Sequence, residues 1–328
     1  MIRIGISAIG CHVPERVVTN DELSKLVDTS DEWIVSHTGI SERRIVAEGE
    51  AASDLGVHAA RKVLQRRGIG PEDIDMIIVA TSSPDYPFPA TACIVQHQLG
   101  AGTAGAFDLS AGCTGFVYAL DTAQALVAAG SARRVLVIGS EVLTSVTNWK
   151  DRNSCVLFGD GAGAVVIEAL EDDTGHQIMH SWLRSDGAGE TALLRPVSGS
   201  RNPFDPARHT AADMQIQMDG KRVYLFAVDA IVRTIRALCD HQGIAPADLA
   251  WIVPHQANLR IIEAAAKRLK LPTERFYTNL DRYANTSAAS IPLAIDEMID
   301  RSLLQPGQWV LLVGFGAGLT YGGNLLRW

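Results

Sequence analysis

The chain predicts an α/β protein in which strands and helices alternate from end to end. Three observations carry this. Apolar, β-branched runs of about five residues recur, too short for buried helices. Between them lie longer segments with helical start and stop signals. Similar glycine punctuation closes each half of the sequence. Alternation of this kind means βαβ units, largely parallel sheets and helices that cover them.

The elements follow in order. Ser53 caps a predicted helix that stops near Gly68. The turn Pro71-Glu72-Asp73 leads into a strand over 76–80, Met-Ile-Ile-Val-Ala. Ala106-Phe107-Asp108-Leu109-Ser110 predicts a strand, and a helix over 116–129 follows it directly. Val135-Leu136-Val137-Ile138-Gly139 is the next strand. Gly159-Asp160-Gly161-Ala162-Gly163 then opens a β-branched run over 164–167. A dinucleotide-binding fingerprint must follow a strand and open a helix, so that reading is excluded. Glu171-Asp172-Asp173-Thr174-Gly175 reads as a surface linker, dividing the chain into halves 1–172 and 173–328.

The polar, Gly-, Pro- and Ser-rich stretch from Ser185 to Met218 predicts a long loop, and such loops inside compact domains are usually functional or mobile. Beyond it come a helix over 223–241 closed by Gly243, a strand over 251–254 and a helix over 259–269. A helix over 291–299 and strands over 310–314 and 321–326 complete the chain. The last two echo the end of the first half, joined by Gly314-Phe315-Gly316-Ala317-Gly318, which suits a close backbone approach to a ligand or to a second loop.

Composition excludes several classes. With 47% apolar residues among 328, a large core can form and disorder is excluded. No apolar run approaches the ~20 residues of a membrane span, and Met1-Ile2-Arg3-Ile4-Gly5 lacks a signal-peptide pattern. The net charge of −8 with no basic stripe argues against nucleic acid. Five scattered cysteines make neither a disulfide framework nor a zinc site, so a reduced, cytoplasmic protein without bound metal is expected.

Three residues are candidates for chemistry. Cys113, in Ala111-Gly112-Cys113-Thr114-Gly115, stands between a strand and a helix N-terminus, where the helix dipole favours a thiolate. It is either a nucleophile or a small side chain filling a tight junction. His255 follows a strand, where such folds place functional groups, or else it caps the next helix. Asn285, in Tyr283-Ala284-Asn285-Thr286-Ser287, is a helix cap on its own merits.

Together these residues resemble the Cys-His-Asn set of the β-ketoacyl-acyl-carrier-protein synthase III family, a branch of the thiolase-like condensing enzymes. The resemblance rests on Ala111-Gly112-Cys113-Thr114-Gly115-Phe116, His255-Gln256-Ala257-Asn258 and Asn285-Thr286-Ser287. It extends to Thr29-Ser30-Asp31-Glu32-Trp33-Ile34, Phe158-Gly159-Asp160-Gly161-Ala162-Gly163-Ala164 and the closing glycine loop, essentially the whole chain.

The resemblance implies a five-layered αβαβα fold of two similar halves, working as a homodimer. Cys113 would take an acyl group from acyl-CoA, usually acetyl-CoA. Malonyl-acyl carrier protein would then decarboxylate and attack the thioester, initiating type II fatty acid synthesis. The backbone N–H groups of Cys113 and Ala317 would hold the oxyanion, and neutral His255 and Asn285 would donate to the enolate. No metal or organic cofactor is required, since CoA and phosphopantetheine thioesters are substrates. The resemblance also makes Trp33 and Arg152 a sandwich for the CoA adenine, Phe88 a residue that crosses the dimer interface to the partner's acyl pocket, and Arg260 with Gln256 part of the carrier-protein docking surface.

Three positions depart from the family pattern. His37 stands where an arginine is usual, Leu225 where a docking lysine is common, and Ala317 where glycine is common. The first two remove positive charge from the surface expected to meet an acidic carrier. Other readings of the same motifs are a synthase-III-like acyltransferase, a polyketide-type condensing enzyme, or a non-catalytic acyl-CoA-binding protein. The intact trio argues against the last.

Overall fold

The β-branched runs form a continuous hydrogen-bonded series of strands in the computed structural model, which describes residues 2–171 and 176–328. These strands are β1 (Ile4–His12), β2 (Met76–Ala80), β3 (Gly105–Leu109), β4 (Arg134–Val142) and β5 (Asp160–Ala169). The second half adds β6 (His176–Ser185), β7 (Trp251–Pro254), β8 (Trp309–Gly316) and β9 (Thr320–Arg327).

Their spatial order is β7-β8-β9-β6-β1-β5-β4-β2-β3. From the centre outward, β1-β5-β4-β2 and β6-β9-β8-β7 repeat one pattern of two antiparallel pairs and one parallel pair. The parallel edge strand β3 has a counterpart in the isolated parallel bridge between Ile252 and Phe276. Among the described residues the strands of the two halves pair at two positions, Gly5 with Gln177 and Ile6 with His176.

The sheet is therefore mixed, not largely parallel as expected. β4 and β5, like β8 and β9, are antiparallel neighbours, and the β8–β9 connection is the short glycine turn at Ala317-Gly318.

Helices complete five layers. Ahead of them in the chain lies α1 (Asp31–Thr38). The pair α2 (Ala52–Arg67) and α3 (Thr91–Leu99) covers the outer face of the first half. The pair α5 (Gly220–Gln242) and α6 (Leu259–Leu269) covers the outer face of the second. Between the halves run α4 (Gly115–Ala128) and α7 (Ser290–Asp300), α4 touching strands of both. Phe116, Val117, Ala119, Leu120 and Ala123 of α4 are fully buried, as befits a helix walled in on several sides.

Ser53 does not cap α2. The helix starts after Ala51, whose N–H is taken by Asp54, while Ser53 is buried and bonds Asp85 through both its N–H and its hydroxyl. Gly159–Gly163 runs into and along β5, the placement expected on rejecting a nucleotide loop. The expected boundary between residues 172 and 173, with most of the linker, lies outside the described residues.

Candidate active site

The twofold pattern of the fold brings the three candidate residues to one place. In the first half the chain leaves β3, makes a single tight turn at Gly112–Thr114 and enters α4, with Cys113 in that turn. In the second half the chain passes Phe276, makes the corresponding turn at Ser287–Ala289 and enters α7, with Asn285 just ahead of the turn. His255 follows β7, its N–H donating to Val313 O at 2.8 Å and so extending the β7–β8 ladder. All three side chains line one cavity of about 520 Å³.

Two glycines make the crowding at Cys113 possible. Gly112 has φ of +54°, and a Cβ there would meet Ala317 N at 3.0 Å. A Cβ on Gly316 would lie 2.7 Å from Cys113 N and 2.9 Å from Cys113 Cβ. The glycine turn therefore rests directly against the cysteine, and Ala317 brings its backbone beside Gly112. Thr320 pins this arrangement by donating to Ala111 O and lying within hydrogen-bond distance of Thr114 Oγ1 and Ala317 O.

Asn285 is clamped on both sides. Its N–H donates to Leu157 O at 2.9 Å, and its carbonyl accepts from Gly159 N–H at 3.0 Å. Its Oδ1 accepts from Ser287 N–H at 2.9 Å. The cap position of the turn is Thr286, and Asn285, one residue ahead, takes the first N–H of the turn with its side chain. His255 is only 1% exposed, packs its ring edge against Phe315 at 5.1 Å, and places Nδ1 2.8 Å from Ser290 Oγ.

The electrostatics are dominated by desolvation. Burial lowers the His255 pKa to about 3, so the ring is neutral. Burial also pushes the Cys113 thiol up to about 12; contact with Ser287 opposes the rise and the charge of Glu141 adds to it. The expected thiolate at the helix terminus is therefore not the resting form. Desolvation is the largest cause of the rise, and α4 itself begins only at Gly115, two residues beyond the thiol. Glu141 is fully buried, accepting from Ser82 N–H, Thr81 Oγ1 and Ser83 Oγ, the last at 2.5 Å.

A second cavity, of about 360 Å³, also opens on Cys113. Its walls include Leu143, Val146, Phe158, Leu193 and Ile216, with Arg195 among the lining residues. Leu193, Arg195 and Ile216 come from the long polar loop, which the sequence marked as functional or mobile. The hairpin pairing Leu193–Leu194 with Gln217–Met218 folds that loop over the site.

The remaining expected residues divide. Arg152 lies over the Trp33 ring, 4.7 Å from its centroid, while Arg152 Nη1 donates to Asp28 O. The structure thus brings this pair together, though in direct contact, with no room between them for a third planar group. His37 stacks on Trp33 at 4.3 Å. Arg260 is exposed and donates from Nε to Ser36 O, which sets it beside His37 at the mouth of the larger cavity. Phe88 is 85% exposed and so belongs to no core of the single chain.

Gln256 is a correction. It is 1% exposed, and its side chain is spent on Pro254 O, Tyr277 O and Asn279 N–H, so it cannot reach a docking partner. Ser290, Ser287 and Glu141 were missed by the sequence reading. A serine five residues after an asparagine carries no signal of its own.

With this geometry in place, the comparisons with known proteins decide the family. Residues 107–187 match the family model described as 3-oxoacyl-[acyl-carrier-protein (ACP)] synthase III, and residues 239–328 match its C-terminal counterpart. The beta-ketoacyl-[acyl-carrier-protein] synthase III of Caldanaerobacter subterraneus subsp. tengcongensis is 48% identical, the alignment covering 100% of this chain and 98% of that one. The chain belongs to the β-ketoacyl-acyl-carrier-protein synthase III family. It is accordingly a condensing enzyme, an acyltransferase with the thiolase-like five-layered fold.

Solved structures agree. The crystal structure of 3-oxoacyl-[acyl-carrier-protein] synthase III from Aquifex aeolicus VF5 superposes with a TM-score of 0.91 at 41% identity, covering 99% of this chain and 100% of that one. The priming β-ketosynthase from the R1128 polyketide biosynthetic pathway reaches 0.90 at 37% identity, covering 99% and 96%. Among the described residues no helix is long and apolar enough to cross a membrane, and no three His, Cys, Asp or Glu side chains converge as metal ligands.

Proposed function

We propose that this synthase initiates type II fatty acid synthesis in the cytoplasm, as a homodimer, by joining an acyl-CoA primer to malonyl-acyl carrier protein. The observation that carries the reading is the position of Cys113 where two cavities meet. One cavity passes His255 and Asn285 toward Trp33 and His37 and suits a pantetheine arm. The other is walled by apolar side chains and suits the acyl chain. An acyl group parked in the second leaves the first free for the next thioester, which a two-substrate exchange requires.

In the first half-reaction the sulfur of Cys113 attacks the acyl-CoA carbonyl. The thiol proton passes to the departing CoA sulfur, giving acyl-Cys113 and free CoA. In the second, the malonyl thioester loses CO₂ and its electrons collect as an enolate. His255 Nε2 and Asn285 Nδ2 donate to the enolate oxygen, each worth about 3 kcal/mol in comparable sites. The enolate carbon attacks acyl-Cys113, releasing the thiolate and forming 3-oxoacyl-carrier protein. The Cys113 and Ala317 N–H groups receive the tetrahedral oxyanion. Every group used belongs to the chain or its thioester substrates, so the proposal calls on no metal or organic cofactor.

Trp33 and Arg152 would take up the adenine once Arg152 swings off the ring. Phe88, with Tyr86 and Phe107, leaves apolar surface exposed near the open edge of β3, the kind of patch a second subunit covers.

The test is intact-protein mass spectrometry after mixing with a panel of acyl-CoAs, followed by malonyl-acyl carrier protein. The expected result is a single acyl adduct on Cys113 that malonyl-carrier protein discharges. Absence of any adduct overturns the reading in favour of a binding protein. Discharge only with a polyketide carrier would move it to secondary metabolism.

A further inference from the structure

Enolate stabilisation makes a demand on His255 that burial alone does not meet. A neutral imidazole carries one proton, and only the tautomer with that proton on Nε2 can donate toward the substrate. The opposite tautomer would present a lone pair to the enolate oxygen and repel it. What sets the tautomer is the partner of Nδ1.

That partner is Ser290, the first residue of α7, 2.8 Å away and only 1% exposed. Its hydroxyl has one proton and two neighbours that could take it, His255 Nδ1 and Ser287 O, each at 2.8 Å. Ser287 O already accepts the backbone N–H of Ser290, so it does not depend on the hydroxyl. Nδ1 has the Ser290 hydroxyl at 2.8 Å as its side-chain partner, while the backbone of Ser287 also lies against the ring. The Ser290 oxygen, in turn, accepts the N–H of Gln256 at 3.3 Å, which occupies a lone pair and leaves the proton to be given away.

We infer that Ser290 is a positioning residue that donates its hydroxyl proton to His255 Nδ1 and thereby holds the ring in the Nε2–H tautomer. The inference rests on the decarboxylating role proposed for His255. It also joins the halves of the site. Ser287 N–H orients Asn285, and Ser290 orients His255, so one turn at the head of α7 aims both enolate donors. The logic is that of any catalytic imidazole whose second nitrogen is fixed by a neighbour, where the wrong tautomer leaves geometry intact and rate lost.

Two measurements test it. Protein labelled with ¹⁵N-histidine reports the protonation of each ring nitrogen by NMR, with His255→Asn locating the resonances of residue 255. The expected wild-type pattern is Nε2 protonated and Nδ1 bare; a protonated Nδ1 overturns the inference without any change at Ser290. Kinetics supply the second arm. Ser290→Ala should slow malonyl decarboxylation about 10- to 100-fold in kcat, with KM nearly unchanged, in line with the loss of partners that fix a ring's tautomer elsewhere. Ser290→Thr, which keeps the hydroxyl, should restore most of the rate.

Acylation of Cys113 by acyl-CoA is the internal control. If neither wild type nor variant is acylated, the proposed function fails. If both are acylated and decarboxylate alike, the role of Ser290 fails. Should Ser290→Ala melt early, the wild-type spectrum still decides.

Discussion

The backbone N–H of Ser287 donates to Oδ1 of Asn285 at 2.9 Å, which fixes which end of the carboxamide faces the cavity. With Oδ1 engaged, Nδ2 is the free donor. Ser287 holds this pose with φ of +48°, a left-handed conformation uncommon for a residue bearing a side chain. Such strain persists only where the surroundings over-determine it, and here the surroundings are two catalytic candidates.

Asn285→Asp should therefore do more than delete a donor. It puts a carboxylate oxygen where Nδ2 was, facing a developing negative charge. Malonyl decarboxylation should fall at least about a hundredfold. Acyl transfer from acyl-CoA to Cys113 should persist, since that step draws on the Cys113 and Ala317 N–H groups. Radiolabelled CO₂ release and acyl-enzyme mass, measured on the same preparation, separate the two. Parallel loss of both would show that Asn285 serves the whole site rather than the enolate.

The desolvated thiol gives a second expectation. Because burial raises the Cys113 pKa to about 12, its alkylation by iodoacetamide should climb about tenfold per pH unit from pH 7 to 10 without levelling. Cys93, the exposed cysteine, should be modified first at neutral pH. Peptide-resolved mass spectrometry follows each site separately. A plateau for Cys113 below pH 8 would mean that the helix terminus prevails over desolvation after all. Cys113→Ser should accumulate no acyl adduct, because no strong base is arranged to activate a hydroxyl there.

His255 makes the fold sensitive to acid. Its pKa is about 3 in the folded chain and about 6.5 unfolded, so the unfolded state alone binds the proton between those values. The stability it contributes is complete above about pH 6.5 and declines as pH falls toward 3. The slope reaches at most about 1.4 kcal/mol per pH unit. Urea unfolding of wild type and His255→Asn at pH 7, 5.5 and 4.5 should show the wild type losing stability faster. Equal slopes would place a titrating, solvated imidazole at this position.

Much of this was legible in the sequence, for reasons specific to each element. The strands 76–80 and 251–254 and the helix 259–269 have the predicted bounds, because each is a run of uniform patterning between turn signals. The trio was legible because three motifs occur in order. Strand direction was not: β5 and β9 are as β-branched or apolar as parallel strands, and composition does not record whether the chain has turned back. Gln256 was misjudged because its place beside Arg260 in the sequence hides opposite orientations, one into the core and one to the surface. The second cavity was invisible because Leu193 and Ile216 become apolar walls only when a polar loop folds back on Cys113.

The surface proposed for carrier-protein docking carries the last expectation. Arg260 donates from Nε to Ser36 O at 2.9 Å, and Asn258 Nδ2 donates to His37 O at 3.0 Å, so the end of α1 and the start of α6 form one patch. That patch rims the larger cavity, and on α5 the neighbouring Leu225 is 60% exposed. An acidic carrier arriving here meets Arg260 but lacks the second permanent charge that His37 replaces. His37→Arg should lower the KM for malonyl-acyl carrier protein at low salt by up to about fivefold, the scale of one exposed ion pair. The gain should shrink at physiological salt, where exposed charges are screened beyond about 8 Å. Arg260→Ala should raise the same KM while leaving turnover of a small malonyl thioester unchanged. Steady-state rates with both substrates across ionic strengths decide it. If His37→Arg alters neither KM nor its salt dependence, the carrier approaches from elsewhere and the missing arginine has no bearing on which carrier this synthase serves.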